Sequence, residues 1–140
     1  MIRGKGKLFI CEESNADHRI YNSGEGRKNI PIYTITLDDY FKGQQVNFLK
    51  IDVQGSEIAV LTGAKDLIKT SKKLKMLLEF WPHGLAKSGS SPKKVLSTLK
   101  RGGFQVYDLT NLERKVILEK IIKSYPIKSK KFTNLLCIKK

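Results

Sequence analysis

Short apolar runs alternate with amphipathic stretches along most of the chain. Leu8 to Cys11 predicts a first strand, and the polar stretch Glu12 to Lys28, with Asn15, Asp17, Asn22, Gly24 and Gly26, predicts a loop. Ile30 to Ile35 alternates loosely after Pro31 and predicts a second strand. Thr36 is placed to cap a short helix over Leu37 to Phe41, closed by Gly43. Val46 to Ile51 is rich in β-branched and aromatic residues and has the length of a strand buried between helices. From Ser56 to about residue 69 the apolar positions Val60, Leu61, Ala64, Leu67 and Ile68 share one helical face, with Ser56 as the cap.

Ser71, Lys72 and Lys73 form a solvated link into Leu74 to Phe80, a further apolar strand. Ser91-Pro92 opens a helix with Val95, Leu96 and Leu99 facing inward, and Gly102-Gly103 ends it. Phe104 to Leu109 predicts another strand. Asn111 to Ser124 is charged and apolar by turns, with Val116, Ile117 and Ile121 at helical spacing, and Phe132 to Ile138 predicts a terminal strand. Strands separated by helices at these spacings imply right-handed crossovers, hence an α/β fold with a mainly parallel sheet and helices on its faces. The last strand, after a long excursion, is expected to run antiparallel.

Length narrows the organisation. With 140 residues and 40% hydrophobic content there is material for one core, so residues 1–140 read as a single domain: a strand plus polar loop over 1–30 and an α/β core over 31–140. Cys11 and Cys137 are too few for a disulfide framework and supply no zinc-ligand spacing, which points to free thiols in a reducing compartment. Met1 to Lys7 lacks the apolar run of a signal peptide, and nothing approaches the roughly 20 apolar residues that span a bilayer. A cytoplasmic protein without membrane contact is the expectation. The net charge of +14 draws polyanions. Yet 22 of the 27 basic residues are lysines spread along the chain, whereas a dedicated nucleic-acid reader concentrates arginine forks or interleaves aromatics with basic residues on one face.

The chemistry gathers at Phe48-Leu49-Lys50-Ile51-Asp52-Val53-Gln54-Gly55-Ser56-Glu57, where an apolar strand runs through an acidic, glycine-containing turn into a helix. Ligands of open α/β sheets bind at the carboxyl ends of strands, so Asp52, Gln54 and Glu57 stand where a small molecule would be held. Glu79 arrives at the same edge on the next strand, about 5 Å away, and two acids so close push one proton affinity up towards a useful base. His83, after Trp81-Pro82, has the chemistry of a proton acceptor near neutral pH. Each has a plainer role as well: a cap for Asp52 and Glu79, macrodipole complementarity for Glu57, solvation for His83. Trp81 reads as core or pocket wall, Asp38 and Asp39 as helix caps, and His18 and Arg19 as surface residues of the polar loop able to meet an anionic acceptor.

Several of these pieces together resemble the FkbM-type S-adenosylmethionine-dependent methyltransferases. They are Thr36-Leu37-Asp38-Asp39-Tyr40, the stretch Phe48 to Glu57, Val60-Leu61-Thr62-Gly63-Ala64, Leu78-Glu79-Phe80-Trp81-Pro82-His83-Gly84-Leu85, and the closing Asn134-Leu135-Leu136-Cys137. The resemblance implies a class I, Rossmann-like methyltransferase fold of seven strands with the last reversed, moving a methyl group to a hydroxyl of a sugar or small metabolite. It implies Asp52, Glu79 and His83 at the reaction centre, Asp52, Gln54 and Glu57 towards the cofactor, and no metal. One part of the family pattern is missing: the glycine-rich turn after a first strand and the ribose-binding acid after a second. Gly4 and Gly6 precede a strand instead of following one, so they do not supply that loop. The chain thus reads as the carboxyl-terminal portion of such a domain, either a piece of a longer or split enzyme or a degenerate remnant, with cofactor binding by this portion alone in question. Its leading parallel strand would expose an edge, open to a partner segment or a second copy. The alternative is a catalytically silent, basic α/β binding module for nucleic acid or a protein partner.

Overall fold

The computed structural model describes residues 4–139 apart from the side chains at 111, 113, 114 and 118; residues 1–3, which entered the reading of the amino terminus, and residue 140 lie outside the described residues. Two sheets form. Strands β1 (Gly4–Phe9) and β2 (Asn29–Thr34) make an antiparallel pair. Strands β3 (Phe48–Ile51), β4 (Lys75–Phe80), β5 (Phe104–Asp108), β6 (Asn111–Lys115) and β7 (Thr133–Lys139) form a second sheet in the order β3-β4-β7-β5-β6. Strands β3 and β4 pair in parallel, and β7 inserts antiparallel between β4 and β5. Three strands therefore share one direction, and the last is reversed, as its position after a long excursion led us to expect.

Alternation along β4 decides where the core sits. Met76, Leu78 and Phe80 have no exposed surface, and β7 sets Cys137, Leu135 and Thr133 opposite them in register. Leu77 and Glu79, on the other face, are only half-buried. The face carrying Met76, Leu78 and Phe80 is thus the more deeply buried along β4 and β7, and the face carrying Leu77 and Glu79 is partly open. Helices α1 (Leu37–Phe41), α2 (Glu57–Thr62), α3 (Lys65–Thr70), α4 (Pro82–Lys87), α5 (Pro92–Arg101) and α6 (Leu118–Ser124) supply the apolar cover. Helix α5 is central, packing on β5, α2, α4 and α6 through Val95, Leu96 and Leu99. It starts as its sequence predicts, with Pro92 in the first turn and the Ser91 hydroxyl accepting from the Lys94 amide at 3.2 Å.

Other expectations shift. The single helix expected over 56–69 is two, because the Asp38 carboxylate accepts from the Asp66 amide (3.2 Å) and the Leu67 amide (2.8 Å) and so starts α3 afresh after Gly63. Asp38 caps a neighbouring helix instead of its own, while Thr36 caps α1 as expected. Ser56 precedes α2 without a side-chain capping bond. Strand β3 begins at Phe48 and forms the exposed edge expected for the leading parallel strand, but it is less buried than a strand between helices, with Phe48 57% exposed. Val46 is diverted before the strand, its amide bonding to the Ser71 hydroxyl at 3.0 Å. Gly4 and Gly6 fall inside β1, and 111–124 divides into strand and helix.

The loop between β1 and β2, expected from its polar sequence, is tied by ion pairs. Arg19 is 7% exposed and bridges Asp17 and Glu25, and Arg27 engages the same two acids. The surface position expected for Arg19 is corrected: two carboxylates neutralise its charge well enough for burial. His18 holds the same loop, its Nδ1 accepting from the Cys11 amide at 3.1 Å.

The sealed face gives a measurable contrast. Leu78→Ala is expected to lower the unfolding free energy by about 2–5 kcal/mol in urea denaturation, and Leu77→Ala, on the partly open face, by less than half of that.

Candidate functional site

The register Ile51↔Leu78 carries β3 and β4 forward together, so Asp52, just past the end of β3, stands beside Glu79, the next-to-last residue of β4 and paired with Asn134 of β7. Their surroundings differ. Asp52 is 37% exposed and pairs with the Lys50 ammonium at 3.1 Å. Glu79 is half-buried, and burial, reinforced by the negative charges of Asp52 and Glu57, pushes its carboxyl up to about 7; Lys50 and a hydrogen bond from Gln54 act in the opposite direction. The Gln54 amide nitrogen donates to Asp52 Oδ1 (3.1 Å) and Glu79 Oε2 (3.3 Å), joining the two acids through one side chain.

The turn that presents this amide is tightly constrained. Gln54 has φ 50° and Gly55 φ 97°, left-handed values in succession. A Cβ on Gly55 would stand 2.4 Å from the Gly84 carbonyl oxygen, so α4 and the turn meet backbone to backbone. Gly84 is itself required, since a Cβ there would lie 2.0 Å from the Trp81 ring. The Tyr21 hydroxyl donates to the Gln54 carbonyl at 2.9 Å, and Ser88 Oγ donates to the Gly55 carbonyl at 2.7 Å. Glu57 Oε1 accepts from the Gly55 amide at 3.0 Å.

That last bond changes the reading of Glu57. Its side chain has no exposed surface, burial pushes its carboxyl upward, and Oε2 is without a protein partner. It faces the inside of the turn, not a crevice, because the turn's own amide attracts it. His83 is also apart from the acids: its Nδ1 lies 3.1 Å from the Ile127 carbonyl oxygen and its ring packs 5.7 Å from that of Trp81. The structure thus joins Asp52, Gln54 and Glu79 by hydrogen bonds, turns the nearby Glu57 into the turn, and holds His83 on the Ile127 carbonyl.

A cavity of about 400 Å³, within the range of small-molecule sites, opens beside this group. Glu79 and Gln54 form one side, and Asp17, Arg19, Trp81 and Lys130 are among the residues that line the remainder. The Arg19 guanidinium sits 5.4 Å from the centre of the Trp81 ring, and Trp81 Nε1 donates to the Lys130 carbonyl at 3.1 Å, so Trp81 is a wall, as expected. A hollow of about 500 Å³ under the 10–28 loop is larger but borders neither Asp52 nor Glu79. Sequence reasoning missed Tyr21 and Ser88, since each acts across 33 residues and leaves no local pattern. Gly84 did leave a signal, a glycine interrupting a helical stretch.

Among the described residues no group of His, Cys, Asp and Glu could hold a metal ion, and no helix is long and apolar enough to cross a membrane. Paired acids at the carboxyl ends of adjacent parallel strands, beside a cavity, define an α/β protein of the kind that holds small ligands at its strand ends. The Methyltransferase FkbM domain matches residues 4–106, and the chain belongs to that methyltransferase family. No curated protein and no solved structure matches it.

Two outcomes follow from this geometry. Gly55→Ala is expected to cost about 2–4 kcal/mol in chemical denaturation, because strain adds to a backbone clash, whereas Gly89→Ala, with φ 77° and open space around it, costs about 1 kcal/mol. For Glu79 the folded value of about 7 lies above the ordinary 4.5, so the folded state holds the proton more tightly. Its contribution to stability is complete below about pH 4.5 and is lost as pH rises through about 7. Urea midpoints measured against pH should fall across that window, and Glu79→Gln should flatten the fall.

Proposed function

We propose that this chain forms the acceptor side of an S-adenosylmethionine-dependent methyltransferase acting on a hydroxyl oxygen of a sugar or small metabolite. The carrying observation is Glu79: half-buried, poised near 7, linked through Gln54 to Asp52, and open to a cavity. Membership of the FkbM family supports methyl transfer. A class I, Rossmann-like architecture is supported by the order β3-β4-β7-β5 with β7 reversed.

The residues present match the positive groups of the cofactor in charge, while the glycine-rich turn that the family pattern places under it is missing from the sequence. S-adenosylmethionine carries a sulfonium and an ammonium, and the partly exposed Asp52 carboxylate and the Gln54 side chain are the groups that would hold it. When bound, the cofactor supplies an electrophilic methyl carbon. Glu79 takes the hydroxyl proton of the acceptor, and an affinity near neutrality lets it both accept and release that proton at working pH. Gln54 keeps the two acids in fixed relation, which transfer in line requires. Trp81 and Arg19 bound the acceptor space. Glu57 supports the turn, and His83 stays outside the proton path.

The same reading treats residues 1–140 as one domain, and the free thiols of Cys11 and Cys137 support a cytoplasmic setting. The outer edge of β3, with Phe48 exposed, favours pairing with a further strand, from a partner segment or a second copy.

Calorimetric titration of S-adenosylmethionine, followed by transfer of labelled methyl to a panel of hydroxylated sugars and metabolites, tests the proposal. Glu79→Gln is expected to lower kcat by about 10²–10⁴-fold with little change in cofactor Kd, and Asp52→Asn to weaken cofactor binding. Absence of both heat and label, in this chain and in a longer polypeptide that contains it, would falsify the assignment.

A further inference from the structure

Three side chains from three places converge on the turn at 54–55. Tyr21 comes from the loop between β1 and β2, Ser88 from the end of α4, and Glu57 from the first turn of α2. Glu57 is adjacent in sequence and belongs to the local fold of the turn. The other two are remote, and each binds a different carbonyl: Tyr21 that of Gln54 and Ser88 that of Gly55. Each hydroxyl has a second, longer acceptor, Gly84 O at 3.5 Å for Tyr21 and Leu85 O at 2.9 Å for Ser88, so the shorter bond in each case goes to the turn.

We infer that Tyr21 and Ser88 are positioning residues, which clamp the two carbonyls of the turn and thereby aim the Gln54 amide at both Asp52 and Glu79. The reason lies in the backbone. Gln54 sits at φ 50°, a conformation that a side-chain-bearing residue leaves unless its surroundings hold it. Releasing either carbonyl lets φ relax to negative values, and the side chain turns with the backbone, so the amide leaves the acids. Glu79 then loses a hydrogen bond to its charged form and holds its proton more tightly. Removing the hydroxyls changes no charge, because burial pushes the Tyr21 phenol up from its ordinary value and keeps it neutral. The other charged groups acting on Glu79 stay in place, namely Lys50 from β3, Asp52 just after it and Glu57 from α2, as do Asp17, Arg19 and Lys130, which line the cavity it faces.

As a statement about catalysis this rests on the methyltransferase reading, but its test needs neither cofactor nor acceptor, so the two stand or fall separately. The side-chain carboxyl of Glu79 is titrated by carbon-13 NMR in the unaltered protein and in Tyr21→Phe, Ser88→Ala and Gln54→Ala. Tyr21→Phe and Ser88→Ala should each raise the Glu79 midpoint by about half a pH unit or more, and their combination should approach Gln54→Ala. A residue with a purely structural role would lower stability and leave that midpoint where it was. Movement in Gln54→Ala alone, with both hydroxyl variants folded and unshifted, overturns the inference. If Tyr21→Phe does not fold, Ser88→Ala decides, because it truncates one half-buried hydroxyl at a helix end.

Discussion

Two backbones touch at Gly55 and Gly84, and neither position has space for a side chain. This contact fixes the distance between the end of β3 and the start of α4. The chain passes this contact through two left-handed residues, Gln54 and Gly55, whose carbonyls accept from Tyr21 and Ser88. Trp81 packs over Gly84, which it can do only because that position has no Cβ, and in packing there it becomes the wall of the adjoining cavity. The acids, the amide that joins them and the aromatic wall thus follow from one close approach between main chains.

The two acids show how position on one strand end still yields two different chemical groups. They share a register and the same edge of the sheet. Asp52 turns to solvent and finds Lys50; Glu79 steps back into partial burial, and desolvation outweighs the help of the Gln54 amide. Glu79, raised to about 7, is suited to exchanging a proton near neutral pH, while Asp52 stands at the solvent edge beside the Lys50 ammonium.

Charge in the remainder of the chain is handled in two ways. Arginine works locally: Arg19 and Arg27 share Asp17 and Glu25, and that network gives the polar loop after β1 enough rigidity to form one side of the cavity. Lysine accounts for most of the +14 excess and is spread along the sequence. Planar forks suit fixed, partly buried pairing and ammonium groups suit hydration, which is why the two arginines hold the loop beside the cavity while Lys50 meets Asp52 at its exposed rim.

The strands about 30–35, 46–51, 74–80, 104–109 and 132–138, the helix at 92–101, the reversal of the last strand, the glycine turn at 55 and the arrival of Asp52 and Glu79 at one edge were legible along the chain, because each depends on periodicity or on neighbours a few residues away; helix α4, strand β6 and the break between α2 and α3 were not. The boundaries that moved did so through remote partners: Asp38 restarts a helix 28 residues later, and Ser71 holds Val46 out of β3. The burial of Glu57, the withdrawal of His83 to the Ile127 carbonyl, the internment of Arg19 and the arrival of Tyr21 and Ser88 at the turn belong to tertiary structure alone. Residue type and spacing state what a side chain is able to do, whereas hydrogen-bond partners across 33 or more residues are set by packing, which no local pattern encodes.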